Sequence, residues 1–336
     1  MKMNTYAAYY DNEVREASSS GGIFSLLAQQ FDVVYGVAMT EDCYEAKFIR
    51  TAQDISSMRG SKYLQAKMGD ILKKVREDLL SDKTVLFTGT TCQINGLKKF
   101  LGKEYPTLWC VDVICHGVPS PVLWKKYIMY QESQYGKKVK SVNFRCKEYG
   151  WKPFGIKENE VFISKDKDSY MQMFLRDYCL RPSCYACQAK YNKMSDMTIA
   201  DFWGIEDVAT ELDDGKGTSL IIVRTQKGKD IFEKICNNLK FKEVTYEDGV
   251  RKNPSEYSSV KRPILRDTFF EDMNKMSFEE LSKKYAQSYK PSLKQRVKHK
   301  IKTILLGSKN KVGGVNYGIL FTFCCEEQSD EAGKKE

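Results

Sequence analysis

The chain has 336 residues, 42% of them hydrophobic and 12% aromatic, and a formal net charge of +10. That length holds one large domain or two ordinary ones, and the apolar content excludes a disordered chain. The charge is uneven: eight Lys or Arg and no acid fall between Ser288 and Lys311, and the remainder is near neutral, which excludes a fold-wide basic groove for nucleic acid.

The opening stretch MKMNTYAAYYDNEVREASSSGG has no apolar core of the signal-peptide kind. The longest apolar run, VNYGILFTFCC (315–325), is too short to span a bilayer. The expectation is a soluble, cytoplasmic protein. Eleven cysteines in a reducing compartment argue for metal or redox roles rather than a disulfide framework.

SSSGGIFSLLAQQF (18–31) reads as a loop feeding a helix capped by Ser19 or Ser20, with Ile23, Leu26, Leu27 and Phe31 on one face. DVVYGVAM (32–39) and AKFIRT (46–51) follow as strands, and Lys67 to Leu80 has helical apolar spacing. TVLFTG (84–89) is a buried strand by its apolar run, with a helix after it at 92–101. TLWCVDVIC (107–115) and PVLWKKYIMYQESQY (121–135) repeat the pair. The alternation predicts an α/β fold with a largely parallel sheet core, flanking helices and some α+β character. Further on, VKSVNFR (139–145), MTIADFWG (197–204) and TSLIIVRT (218–225) read as strands, and 169–180 and 230–239 as helices. Beyond Pro263 the pattern weakens, except for a basic amphipathic helix at 293–306 ahead of a polar tail.

RPSCYACQAK (181–190) holds the chain's one C-x-x-C, Cys184 and Cys187. Most other cysteines sit inside apolar segments, where a thiol is ordinarily a small buried hydrophobe. Cys92 and Cys115 differ, because each follows an apolar strand: VLFTGTTC and VDVIC. Ligands of open α/β sheets bind outside the carboxyl ends of the strands. If those two strands are neighbours, Cys92 and Cys115 approach each other, and the Cys184–Cys187 loop can close over them. Four thiolates suit a 4Fe–4S cluster or a structural zinc. One pair plus two singles fits a cluster better than zinc, and unrelated thiols remain an alternative. A catalytic thiolate is a third reading, with Cys92 at a helix start and His116 as its base. SSSGG (18–22) and GTT (89–91), each ahead of a helix, are weak phosphate signals beside ordinary capping.

Together, SSSGGIFSLLA, GSKYLQ, VLFTGTTCQINGLKKFL, VDVICHGVPSP, RPSCYACQAK, SDMTIADFWGI and KGTSLIIVRT resemble the coenzyme F420 hydrogenase/dehydrogenase beta-subunit family, from about Ser18 to Gly228. The resemblance implies a flavoprotein with one 4Fe–4S cluster, passing electrons between cluster, FAD and a substrate. It puts the cluster ligands on Cys92, Cys115, Cys184 and Cys187. It puts flavin contacts on Ser20, Gly21 and Gly22, on Lys62 and Tyr63, and on Thr88, Gly89, Thr90 and Gln93. Asp201 lies in a family motif without an assignable role, and His116 and Lys62 are weak catalytic candidates.

Thr91 stands where the family often has Pro, and Ala200 where it often has Gly. Many bacterial members begin with a ferredoxin-like segment of eight cysteines, and this chain starts where that would end. Its electrons would then come from an external carrier: ferredoxin, flavodoxin or a partner subunit. The substrate would be a small molecule, and bacterial relatives suggest surface-polysaccharide biosynthesis. The expected division is 1–83 (flavin-contacting), 84–262 (iron–sulfur and flavin) and 263–336 (a basic helical extension with a frayed tail). Residues 290–311 are a candidate peripheral membrane contact. The competing reading is a non-catalytic accessory or binding protein of such a pathway, stabilised by zinc or a cluster.

Overall fold

Among the described residues twelve strands form. They are β1 (Asn4–Tyr9), β2 (Val33–Met39), β3 (Ala46–Thr51), β4 (Ala66–Lys67), β5 (Val85–Thr90), β6 (Leu108–Val113), β7 (Val142–Cys146), β8 (Gly155–Glu158), β9 (Val161–Ser164), β10 (Met197–Asp201), β11 (Ser219–Val223) and β12 (Lys240–Val244). This computed structural model describes residues 3–286. The basic helix expected at 293–306, the membrane contact at 290–311 and the tail lie outside the described residues.

Nine strands make one sheet in the order β12-β1-β11-β10-β6-β5-β2-β3-β4. Its centre, β10-β6-β5-β2, is parallel. Antiparallel pairs extend it on both sides, β11 and β1 on one flank and β3 on the other. The expected α/β fold with a parallel core is present, embedded in a mixed sheet. β5 and β6 pair in register from Val85↔Leu108 to Thr90↔Val113, the adjacency that the cysteine argument required.

Both faces of this centre are covered, as a parallel sheet requires. Val85 and Phe87 point to one side with Leu108 and Cys110, against the helices Ile71–Leu80 and Thr91–Leu101. Leu86 and Val111 point to the other, against Ile23–Ala28 and Gln226–Ile235. A separate aromatic core of Trp124, Tyr127, Phe144, Tyr170 and Phe278 joins the helices Pro121–Tyr135, Ser169–Leu175 and Phe278–Tyr285 to the small sheet β7-β8-β9.

Several local expectations shift. Gly22, at φ +81°, caps the helix Ile23–Ala28 in place of Ser19 or Ser20, because both hydroxyls are engaged elsewhere: Ser20 Oγ donates to Thr218 O at 2.8 Å and Ser19 Oγ accepts from Ser61 N at 2.8 Å. The helix expected over 169–180 ends at Leu175; Asp177 adopts φ +64°, a left-handed conformation that a helix cannot carry. Helices at Arg266–Lys275 and Phe278–Tyr285 occupy the stretch where the pattern weakened. Among the described residues no helix is long and apolar enough to cross a membrane.

Candidate functional site

The direction of β11 leaves β1, β10, β6, β5 and β2 running the same way. Their carboxyl ends therefore share one edge, and the site is built there. Cys92 is the second residue of the helix Thr91–Leu101, directly after β5. Cys115 lies two residues beyond β6. Cys184 and Cys187 come from the turn Pro182–Ala186 and the residue after it. All four line one cavity of about 40 Å³, together with Thr90, His116, Lys190 and Lys193.

Short-range backbone pairing brings the loops together. Pro119 and Leu180 form an antiparallel bridge, flanked by Ser120 N–H to Cys179 O at 2.8 Å and Arg181 N–H to Val118 O at 2.9 Å. Gly117 is needed in that ladder, since a Cβ there would lie 2.6 Å from Leu180 Cδ1. Asn95, one turn after Cys92, clamps the chain beyond the C-x-x-C: its Nδ2 donates to Asn192 O at 2.6 Å and its Oδ1 accepts from Met194 N at 3.1 Å. One backbone donor points at a sulfur, with Val118 N–H 3.4 Å from Cys184 Sγ, and Thr90 Oγ1 lies 3.2 Å from Cys92 Sγ.

Burial, then the neighbouring sulfurs of Cys92 and Cys184, push the Cys115 thiol up to about 12. Cys184 is raised by burial and by the sulfurs of Cys187 and Cys92. Four thiolates cannot stand together without a cation, so ionisation requires a positively charged occupant. Two ammonium groups supply part of the balance. Lys190 Nζ donates to Cys115 O at 2.9 Å and to Ser255 O. Lys193 Nζ pairs with Glu256 at 2.5 Å. Among the described residues no three His, Cys, Asp or Glu side chains converge tightly enough to chelate a single ion.

Behind the cavity runs a buried polar chain. Glu256 also accepts from Arg224, whose Nε donates to Thr198 Oγ1 at 2.8 Å. Thr198 donates to Asp112 at 2.5 Å, and Asp112 accepts from Thr91 at 2.5 Å and Ser195 at 2.9 Å. Thr91 and Lys193 both line the cavity, so the chain leaves the site and returns to it.

His116 sits in the cavity wall, 2.7 Å from Asp177 Oδ1 and edge-on to Phe174. The other face of this contact leads to Tyr63, whose ring stacks on Phe174 at 5.2 Å. Around Tyr63 gathers a second polar group. Arg145 lies 2.7 Å from Asp201, over the rings of Phe154 and Trp203. Burial raises Asp201, while Arg145 and the Ser20 hydroxyl oppose that. Burial also raises Tyr63. Lys147, bonded to Arg15 O at 2.6 Å, is lowered to about 8 by burial and by Arg15. Lys62, bonded to Arg59 O at 2.7 Å and part-buried, is lowered to about 7 by burial.

The residues expected to contact a flavin thus fall into three places on one edge. Ser20, Gly21 and Gly22 meet β1 and β11, where a Cβ on Gly21 would lie 2.5 Å from Ala8 O. Lys62 and Tyr63 join them through the Ser19–Ser61 bonds. Thr88, Gly89 and Thr90 end β5; Thr88 Oγ1 donates to Tyr35 O at 3.0 Å, and Gln93 Oε1 accepts from Thr90 N at 2.9 Å. Arg145, Lys147, Lys190, Lys193, Asp112 and Glu256 escaped sequence reasoning. Only Lys190 and Lys193 had a readable signal, as cations just after the C-x-x-C.

The fold and the site define an α/β protein with a four-cysteine cavity on the carboxyl edge of a parallel sheet centre. Residues 82–248 match the family described as the C terminus of the coenzyme F420 hydrogenase/dehydrogenase beta subunit, and this stretch of the chain belongs to that family. The structure is similar to a chain of the F420-reducing nickel–iron hydrogenase complex of Methanosarcina barkeri, solved as a xenon derivative, with TM-score 0.50 and 15% identity over 83% of this chain and 90% of that one. At that identity the likeness is one of fold. No curated protein matches the sequence.

Proposed function

We propose that the chain is an iron–sulfur flavoprotein oxidoreductase that passes electrons between an external carrier and a small-molecule substrate. The observation that carries the reading is the convergence of Cys92, Cys115, Cys184 and Cys187 on one cavity. Family membership over 82–248 supports it. When bound, a 4Fe–4S cluster supplies single electrons and FAD gathers two for exchange with the substrate as hydride.

The donor set fits a cluster: four thiols line one cavity, with two ammonium groups beside them to offset negative charge. Cys92, Cys115, Cys184 and Cys187 would hold it, with Val118 N–H tuning one sulfur. The second polar group fits FAD. Arg145 Nε is buried without a hydrogen-bond acceptor, as expected of a donor reserved for a ligand's phosphate or ring carbonyl. Ser20, Gly21, Gly22, Lys62, Tyr63, Thr88, Gly89, Thr90 and Gln93 complete the flavin set in this reading. Lys62, lowered to about 7, is suited to exchange a proton near neutrality. His116, held by Asp177, is the other group able to move one. Residues 1–83 and 84–262 would share the flavin, and the protein would act in the cytoplasm.

Anaerobic purification with an absorption spectrum and iron, sulfide, zinc and flavin analysis tests the reading. Flavin bands over a broad brown absorbance, with about four irons per chain, are expected. Zinc without flavin would overturn the proposal and favour the accessory-protein reading. Cys184→Ser should abolish the brown absorbance and Cys236→Ser should leave it; equal behaviour would refute the ligand set.

A further inference from the structure

A strap of chain crosses the thiol cavity. Ser255 O accepts from Lys190, Ser259 Oγ accepts from Cys187 N–H at 2.9 Å, and Arg266 Nη2 reaches Leu180 O at 2.9 Å. The strap thus runs from the Cys115 side of the site, over Cys187, to the bridge beside Cys184. Its outer surface is unusually apolar for an exposed segment. Ile264 is 96% exposed, Leu265 50% and Tyr257 47%, and Tyr191, next to Lys190, is 70% exposed.

The charge on this face is predominantly positive. Residues 181–193 and 254–267 contain Arg181, Lys190, Lys193, Lys261, Arg262 and Arg266 against two acids, Glu256 and the exposed Asp267, which pairs with Arg262 at 2.5 Å. Glu256 is 1% exposed and already paired inside with Lys193 and Arg224. Arg181, Lys261 and Arg262 are exposed. Aromatic and aliphatic side chains ringed by cations make the anatomy of a recognition surface. A bare apolar patch of this kind marks an interaction site.

We propose that this strap surface is the docking site for a small acidic electron-carrier protein, which delivers or collects one electron at a time across the strap. The proposal rests on the four thiols holding a redox cluster, as argued above. Charge complementarity selects an acidic partner and steers its approach, and the exposed Ile264–Leu265 pair gives the encounter its apolar centre. Such an interface is small and short-lived, as an electron carrier that must leave again requires.

The test uses the full-length holoprotein and a purified acidic ferredoxin as probe. Its binding is measured by surface plasmon resonance at low and high salt. Reduction of the holoprotein is followed by stopped flow, with ferredoxin and separately with dithionite as electron donor. Ile264→Asp and Lys261→Glu alter exposed side chains and leave the thiols in place. Each is expected to weaken ferredoxin binding about tenfold, some 1.4 kcal/mol, and to slow reduction by ferredoxin, with the dithionite rate and the visible spectrum unchanged. Wild-type binding should fall steeply with added salt. Unchanged binding and unchanged ferredoxin rate in both variants would overturn the proposal, as would binding indifferent to salt. If Ile264→Asp instead converts a dimer to a monomer in sedimentation, the face belongs to a second copy and the proposal fails. A wild-type protein without iron–sulfur absorbance would refute the functional reading on its own, before any binding is measured.

Discussion

Glu256 is the hinge of the buried charge chain behind the thiols, and Glu256→Gln should be costly. The carboxylate is 1% exposed and faces two cations, Lys193 at 2.5 Å and Arg224. The two cationic side chains are themselves only 8% and 12% exposed. Removing the charge leaves both with no anion and with unshielded repulsion between them. A pair of charges about 4 Å apart at the effective dielectric of such sites is worth roughly 4 kcal/mol, and breaking a buried pair from one side costs about 3–5 kcal/mol. Arg224 keeps its bond to Thr198, which holds the loss within that range. Urea unfolding at neutral pH, read by tryptophan fluorescence, should show Glu256→Gln less stable by about 3–5 kcal/mol. Replacing all three charges at once, Glu256→Leu with Lys193→Met and Arg224→Met, should return much of the loss, because an apolar trio of similar volume has no charge to strand. A single variant within about 1 kcal/mol of wild type would refute the reasoning, since it would mean that water already screens the cations.

Asp168 gives the stability a pH dependence. Burial lifts its carboxyl to about 7 from an ordinary 3.8, so between roughly pH 4 and 7 the folded chain holds a proton that the unfolded chain releases. Stability from this group is full below that window, falls as pH rises through it and is level above. Asp168→Asn preserves the bond from Met171 N–H and should flatten the urea midpoint between pH 5 and 7.5; an unaltered slope would assign it to other groups. Gly228→Ala puts a Cβ 2.1 Å from Asp196 O, where backbone cannot yield, and should destabilise by about 1–3 kcal/mol. Gly96→Ala, in the helix after Cys92 with nothing within 4 Å of the new methyl, should stabilise by roughly 0.5–1 kcal/mol in the same assay.

What could be read in advance follows from the range of the interactions involved. VLFTG and TLWCVDV declare the buried centre because a parallel sheet covered on both faces needs continuous apolar runs. Strand ends then point to Cys92 and Cys115 without further information. β12 was hidden because its sequence KFKEV alternates charge and its residues are mostly exposed, as suits an edge strand. β1 was hidden because Ala7 and Ala8, both fully buried, give too little apolar contrast for period-two reading. The helix Phe278–Tyr285 is legible in the sequence: S-x-x-E at Ser277 and Glu280 is a capping box, made by Ser277 N–H to Glu280 at 2.8 Å. The partners of the site's charges are different in kind. Glu256 meets residues 63 and 32 positions away, and Asp112 meets Thr198 from 86 away. These pairings exist only because the antiparallel β11 sits beside β10, and β10 beside β6. No local pattern fixes that order. A sequence can therefore announce which thiols stand at strand ends while concealing which cations and carboxylates balance them, and the second question is the one that sets how readily the site ionises.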